Sequence, residues 1–151
     1  MSFCYNIIMI LAVDYGKKWV GVAIAFGSLI ENKGFNSCPP IAMPYKILTN
    51  KNNSILLKTL KEIIGKEKIE KIVIGRPLGL SGMVTEQTKV IDRFIETLKR
   101  EINVPVIGFD ERLTSQEAKR LSGEDKNEHA IAATIILQDY LDRLDNLISN
   151  P

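Results

Sequence analysis

A chain of 151 residues is long enough for one domain that buries about 70% of the surface its unfolded form exposes. With 45% hydrophobic and 25% charged residues it is an ordinary globular composition, and a formal net charge of +2 excludes a chain that is basic throughout. Any polyanion site must therefore come from local clustering, and two cysteines (Cys4, Cys38) without ligand spacing exclude a disulfide scaffold and suit a reducing, cytoplasmic compartment.

The apolar run at 7–13 is shorter than the roughly 20 residues that span a bilayer, and it has neither a basic leader nor a cleavage site. No membrane partner is expected. Met9 starts a strand, so residues 1–8 read as an N-terminal extension ahead of a single domain over 9–148. Met9–Val13 and Trp19–Ala25 predict a hairpin whose first strand ends in Asp14-Tyr15-Gly16. A carboxylate at the tip of a buried strand is costly unless it binds a metal, a substrate or a partner side chain. Capping its own turn is the simpler role for Asp14. Gly16 permits a tight turn and a close approach, and Lys17 and Lys18 follow it.

A third strand is expected between Ser37 and Met43, weakened by Pro39, Pro40 and Pro44. After a polar loop at 49–53, Asn53 or Ser54 would cap a helix to about Lys66, with Ile55, Leu56, Leu60, Ile63 and Ile64 on its apolar stripe. Lys71–Ile74 is a short buried strand, followed by a loop of turn formers at 75–82. Thr85 opens a helix to about Arg100 with Val90, Ile91, Phe94, Ile95 and Leu98 inward. Val104–Phe109 is another strand, ending in Asp110-Glu111-Arg112. Thr114-Ser115-Gln116-Glu117 forms a capping box for a helix to about Leu121, and 122–127 is a polar break. A last helix over about 128–147 would bury Ile131, Ala132, Ile135, Ile136, Tyr140 and Leu144. Its start carries His129, where the helix dipole would depress protonation and favour a neutral imidazole. A meander followed by β-α-β units predicts an α/β domain with a mixed sheet.

Three polar sites thus fall at element ends, where α/β sheets place ligands: Asp14, the 75–82 loop and Asp110-Glu111-Arg112. The motifs Val-Asp-Tyr-Gly (13–16), Gly-Arg-Pro-Leu (75–78), Asp-Glu-Arg-Leu-Thr-Ser (110–115) and Ala-Ala-Thr-Ile-Ile-Leu-Gln-Asp-Tyr-Leu (132–141) occur in that order. Together they resemble the YqgF/RuvX family over nearly the whole chain from Met9. That resemblance implies an RNase H-like three-layer fold, a mixed five-stranded sheet flanked by helices. It also implies an endonuclease that hydrolyses phosphodiester bonds with Mg²⁺ or Mn²⁺, in this family linked to the 5′ end of pre-16S rRNA and, alternatively, to Holliday junctions. Carboxylates in such a site hold ions that activate water and stabilise the leaving oxygen.

Carried over residue by residue, Asp14 is the first ligand and Asp110 or Glu111 the second, with Glu111 favoured because adjacent strand residues point opposite ways. The position of the family's third acid, three residues before Ala132, holds His129, and another common acid, in the loop after Gly-Arg-Pro-Leu, is replaced by Ser81. The expected catalytic set is Asp14, Asp110, Glu111 and His129, with Asp14, Glu111 and His129 at the metal. Imidazole ligates Mn²⁺ better than Mg²⁺, and Glu128 or Asp125 is an alternative substitute. Lys17, Lys18, Arg76 and Arg112 would grip phosphates, although Arg112 could instead pair with the acids beside it. The partner is nucleic acid, either pre-rRNA or branched DNA. A two-fold junction would need two sites and hence a homodimer. A non-catalytic RNA-binding ribosome-assembly factor is the competing reading from another class, raised by His129 and Ser81.

Overall fold

The computed structural model describes residues 6–30, 34–35, 40–112 and 125–149. Cys4, Cys38, the expected helix from Thr114 and most of the break after it lie outside the described residues. The elements are β1 (Asn6–Tyr15), β2 (Trp19–Ile30), β3 (Gly34–Phe35), β4 (Met43–Thr49), α1 (Asn53–Lys66), β5 (Lys71–Leu78), α2 (Glu86–Glu101), β6 (Val106–Arg112) and α3 (Lys126–Ser149).

The strands form one mixed sheet in the order β3-β2-β1-β5-β6, with β4 also on β2. Six strands make a sheet five positions wide, because β4 pairs with Trp19–Ile24 and β3 with Leu29–Ile30 along the same edge of the long β2. β1 and β2 are antiparallel in continuous register from Asn6↔Leu29 to Tyr15↔Val20. β1–β5 and β5–β6 are parallel, so helical crossovers through α1 and α2 join them.

Alternation along β1 divides the molecule into layers. Leu11 and Val13 enter the larger core with Ile72 and Ile74 of β5, Leu56 and Leu60 of α1, and Ile91 and Leu98 of α2. Ile10 and Ala12 face the other way, into a second core with Ala23, Val73, Phe109, Ala133, Ile136 and Leu137. Helices α1 and α2 therefore cover one face and α3 the other.

Several expectations shift in register. β1 begins at Asn6, so Met9 falls inside it. The third strand lies at Met43–Thr49, beyond the expected 37–43, with Pro44 opposite Ala23 beside a bulge on an edge strand. Asn52, not Asn53 or Ser54, caps α1; its Oδ1 accepts from Ser54 N at 2.8 Å. Gly75-Arg76-Pro77-Leu78 is strand rather than loop, held by pairing of Arg76–Leu78 with Asp110–Arg112. The turn comes later, where Gly82 adopts φ 78° and donates to Gly79 O. Thr85 caps α2 through a capping box with Thr88, whose hydroxyl also donates to Pro77 O and ties the end of β5 to α2. On α1, Ile55 points to solvent, while Leu56, Leu60 and Ile63 are buried.

α3 is rotated from its expected face. Ile131 and Ile135 are exposed, and Ala130, Ala133, Ile136, Leu137 and Leu141 are buried. The sheet explains the choice, because α3 rests on Ala12, Ala23 and Gly21, where only small residues let the backbones approach. A Cβ on Gly21 would fall 1.9 Å from His129 O.

Candidate functional site

Asp14 is next to last on β1, the central strand, and alternation sends its side chain to the α3 face, as for Ile10 and Ala12. His129 lies in the first turn of α3. Both are buried, each with 6% of its surface exposed, and His129 Nδ1 lies 2.7 Å from Asp14 Oδ2, with the ring N–H donating to the carboxylate. The two residues are 115 positions apart in the chain. Glycines make the contact accessible: a Cβ on Gly16 would lie 2.5 Å from His129 Cε1, and one on Gly21 would strike the His129 carbonyl.

Asp14 raises the imidazole pKa above its ordinary value, chiefly through that hydrogen bond, against the opposing effect of burial. The charges of Asp14 and Glu128 act in the same direction. This reverses the expectation of a depressed pKa, because a direct bond to a carboxylate outweighs the partial charge of a helix end. Next to His129, Glu128 Oε2 is buried without a hydrogen-bond partner among the described residues, a carboxylate oxygen left open.

The neighbouring acids divide between the two faces. Phe109 packs into the α3 core, and Asp110 turns the opposite way to accept from Arg76 Nη1 at 3.0 Å. Glu111 therefore returns to the face that carries Asp14 and His129. It sits on β6, with β5 between it and β1 and two residues beyond the level of Asp14, so its backbone is about 12 Å from that of Asp14. The structure thus brings Asp14 and His129 into contact, places Glu111 on their face two strands away, and sets Asp110 apart. Among the described residues no three His, Cys, Asp or Glu side chains gather closely enough to enclose an ion unaided.

Of the basic residues, Lys17 and Lys18 are exposed on the turn after Asp14. Arg76 lies on the α2 face, where its Nε and Nη2 donate to Asp92 at 2.7 and 3.1 Å while Nη1 holds Asp110. The two carboxylates push its pKa further up, and Arg76 holds the Asp92 carboxyl below its usual range. The guanidinium is already engaged by two acids on the side away from Asp14. Arg112 ends β6, its backbone opposite Leu78. The sequence gives no local signal for Asp92 or for Asn50, whose side chain donates to Gly16 O at 2.7 Å and braces the Asp14 turn.

The geometry is that of a strand-end carboxylate held by a buried imidazole, beside an exposed lysine turn. The family model described as "RuvX: Holliday junction resolvase" matches residues 8–143. A protein of Rickettsia peacockii named "Putative pre-16S rRNA nuclease" is 36% identical over 146 residues, 91% of this chain and 88% of that protein. A protein of Rickettsia canadensis bearing the same name is 34% identical over 143 residues, 89% and 86% of the two. Among solved structures, RuvC of Thermus thermophilus superposes with a TM-score of 0.54 at 8% identity, covering 90% of this chain and 95% of that one. That likeness shows the RNase H-like fold.

Proposed function

We propose, from the premise that this chain belongs to the RuvX family, that it is a metal-dependent endonuclease acting on the 5′ end of pre-16S rRNA. The carrying observation is the buried Asp14–His129 pair at the end of the central strand, on the face to which Glu111 also turns. A buried carboxylate held by one directional bond keeps its second oxygen free for a cation.

The donor set fits a hard cation of the Mg²⁺ or Mn²⁺ kind. Such ions are held by one or two carboxylates with water and substrate phosphate, and need no all-protein cage. Asp14 would hold the ion, with Glu111 turned to the same face and Glu128, the neighbour of His129, offering an open carboxylate oxygen. Bound there, it would supply activated water and charge stabilisation for the leaving oxygen. His129 orients Asp14, and its burial keeps bulk water from competing for the carboxylate. Lys17 and Lys18 stand where a phosphodiester backbone would pass the strand end. An rRNA substrate implies work in the cytoplasm, and no helix of the described residues is long and apolar enough to cross a membrane.

The test is cleavage of a pre-16S 5′ leader by the parent protein and by Asp14→Asn. The expected result is cleavage that requires Mg²⁺ or Mn²⁺ and is lost in the variant while its circular dichroism shows it still folded. Equal cleavage by both proteins refutes the reading, and binding without cleavage by the parent would make it an assembly factor. The family model's description supports a second reading, cleavage of a four-way DNA junction. That activity needs a dimer, so a monomer at working concentration by sedimentation excludes it.

A further inference from the structure

Tyr15 follows Asp14 on β1 and points to the opposite face, toward α1 and α2. There it stacks on Phe94, with ring centroids 4.2 Å apart. Around Tyr15 open two adjoining cavities of about 250 and 370 Å³ that share Tyr15, Asn53 and Val90. The first is half apolar, walled by Leu57, Val90 and Phe94, with Arg93 and Thr97 at its polar side. The second is polar, lined by Lys17, Lys51 and the amides of Asn50, Asn52 and Asn53. Together they match the size range of small-ligand sites, about 300–1,000 Å³.

The charge is one-sided. Among the described residues no acid lines either cavity, and Lys17, Lys51 and Arg93 have no carboxylate partner. Asp92, next to Arg93 in sequence, is held away by Arg76. The loop carrying Lys51 is fixed against the turn carrying Lys17, because Asn50 N donates to Lys18 O at 2.9 Å and its side chain donates to Gly16 O. Three cations are thus positioned around an aromatic ring one residue from Asp14.

We propose that this cleft binds one nucleotide of a single-stranded RNA segment, its phosphate at Lys17 and Lys51 and its base in the apolar half against Tyr15, Leu57 and Val90. Cations along a backbone path beside an aromatic platform are what sequence-tolerant binding of single strands requires, and a paired base could not enter. The cleft lies behind the strand end from Asp14 and His129. A strand crossing that end would occupy both, and the cleft would set which bond lies over Asp14. The identity of the strand rests on the nuclease reading above; the binding itself does not.

The test is fluorescence anisotropy with a labelled single-stranded RNA of about ten nucleotides, using Asp14→Asn in every arm so that cleavage plays no part. Lys51 and Arg93 are exposed, so their reversal leaves the core intact. Adding K51E and R93E should weaken binding at least tenfold and lower the logarithmic salt slope by at least about 0.7, the share of the single-strand phosphate contact at Lys51. The control K66E with K68E makes the same change in net charge at the far end of α1, about 20 Å away, and should leave binding unchanged. Equal weakening by both pairs, or by neither, overturns the proposal. Displacement of the RNA by micromolar adenosine monophosphate also overturns it and assigns the cleft to a free nucleotide. Failure of leader cleavage by the parent protein would refute the nuclease reading alone.

Discussion

Gly21→Ala should damage both the fold and the site, by an amount the geometry sets. Its Cβ would lie 1.9 Å from His129 O, 2.1 Å from His129 C and 2.6 Å from Ala130 N, all backbone atoms that cannot rotate aside. To restore van der Waals contact, the start of α3 must retreat by more than about 1 Å, an overpacking cost of about 1–3 kcal/mol. That retreat stretches the 2.7 Å His129–Asp14 bond, and losing a buried bond to a charged group adds about 1.5–3 kcal/mol. The sum, about 2.5–6 kcal/mol, corresponds to a fall in Tm of about 5–24 °C for a domain of this size. Gly65→Ala is the control: its Cβ meets nothing within 4 Å on α1, so helix propensity should stabilise it by up to about 1 kcal/mol. Urea unfolding measures both. His129 is the single histidine of the chain, so its ring signal in NMR reports whether the pair survives. A Gly21→Ala loss below about 1 kcal/mol with an unshifted histidine signal would refute the close approach of α3 to β2.

Two further outcomes follow from the ionic contacts. Since Asp14 raises the His129 pKa in the folded state, the pair's contribution to stability is complete below the unfolded value of about 6.5 and is lost as pH rises through the folded value. The stability difference between the parent and His129→Asn, from urea melts across that range, should therefore shrink toward alkaline pH; a difference that grows contradicts the pairing. Arg76→Ala should cost only about 1 kcal/mol, because Asp110 is exposed and Asp92 partly so, and solvent screens both. A double-mutant cycle with Asp92→Ala should show positive coupling, and additive losses would mean that the bidentate contact contributes nothing.

Local pattern made some of this architecture legible and hid the rest for physical reasons. Asp14 stands out because an acid ends a continuous apolar run, and the period-2 rule separates Glu111 from Asp110 before any contact is known. Helix α2 reads cleanly since its stripe and its Thr85 cap agree. β4 does not, because an edge strand with one buried residue, Leu48, carries little hydrophobic signal, and its prolines argue against pairing. The face of α3 is hidden for the opposite reason: large apolar residues suggest burial, whereas a helix lying on glycine and alanine buries its own alanines and exposes Ile131 and Ile135. In sequence Arg76 reads as a phosphate ligand beside a glycine, and only tertiary structure shows Asp92 and Asp110 closing on it. Contact between Asp14 and His129, made across nearly the full chain length, has no local signature at all.

The central claim is that Asp14 anchors a divalent cation beside His129. Substoichiometric Mn²⁺, a paramagnetic ion, added to the protein alone tests it through the lone histidine ring signal. Strong broadening of that signal in the parent protein, absent in Asp14→Asn, is the predicted result. Equal broadening in both proteins, or none in either, would contradict it.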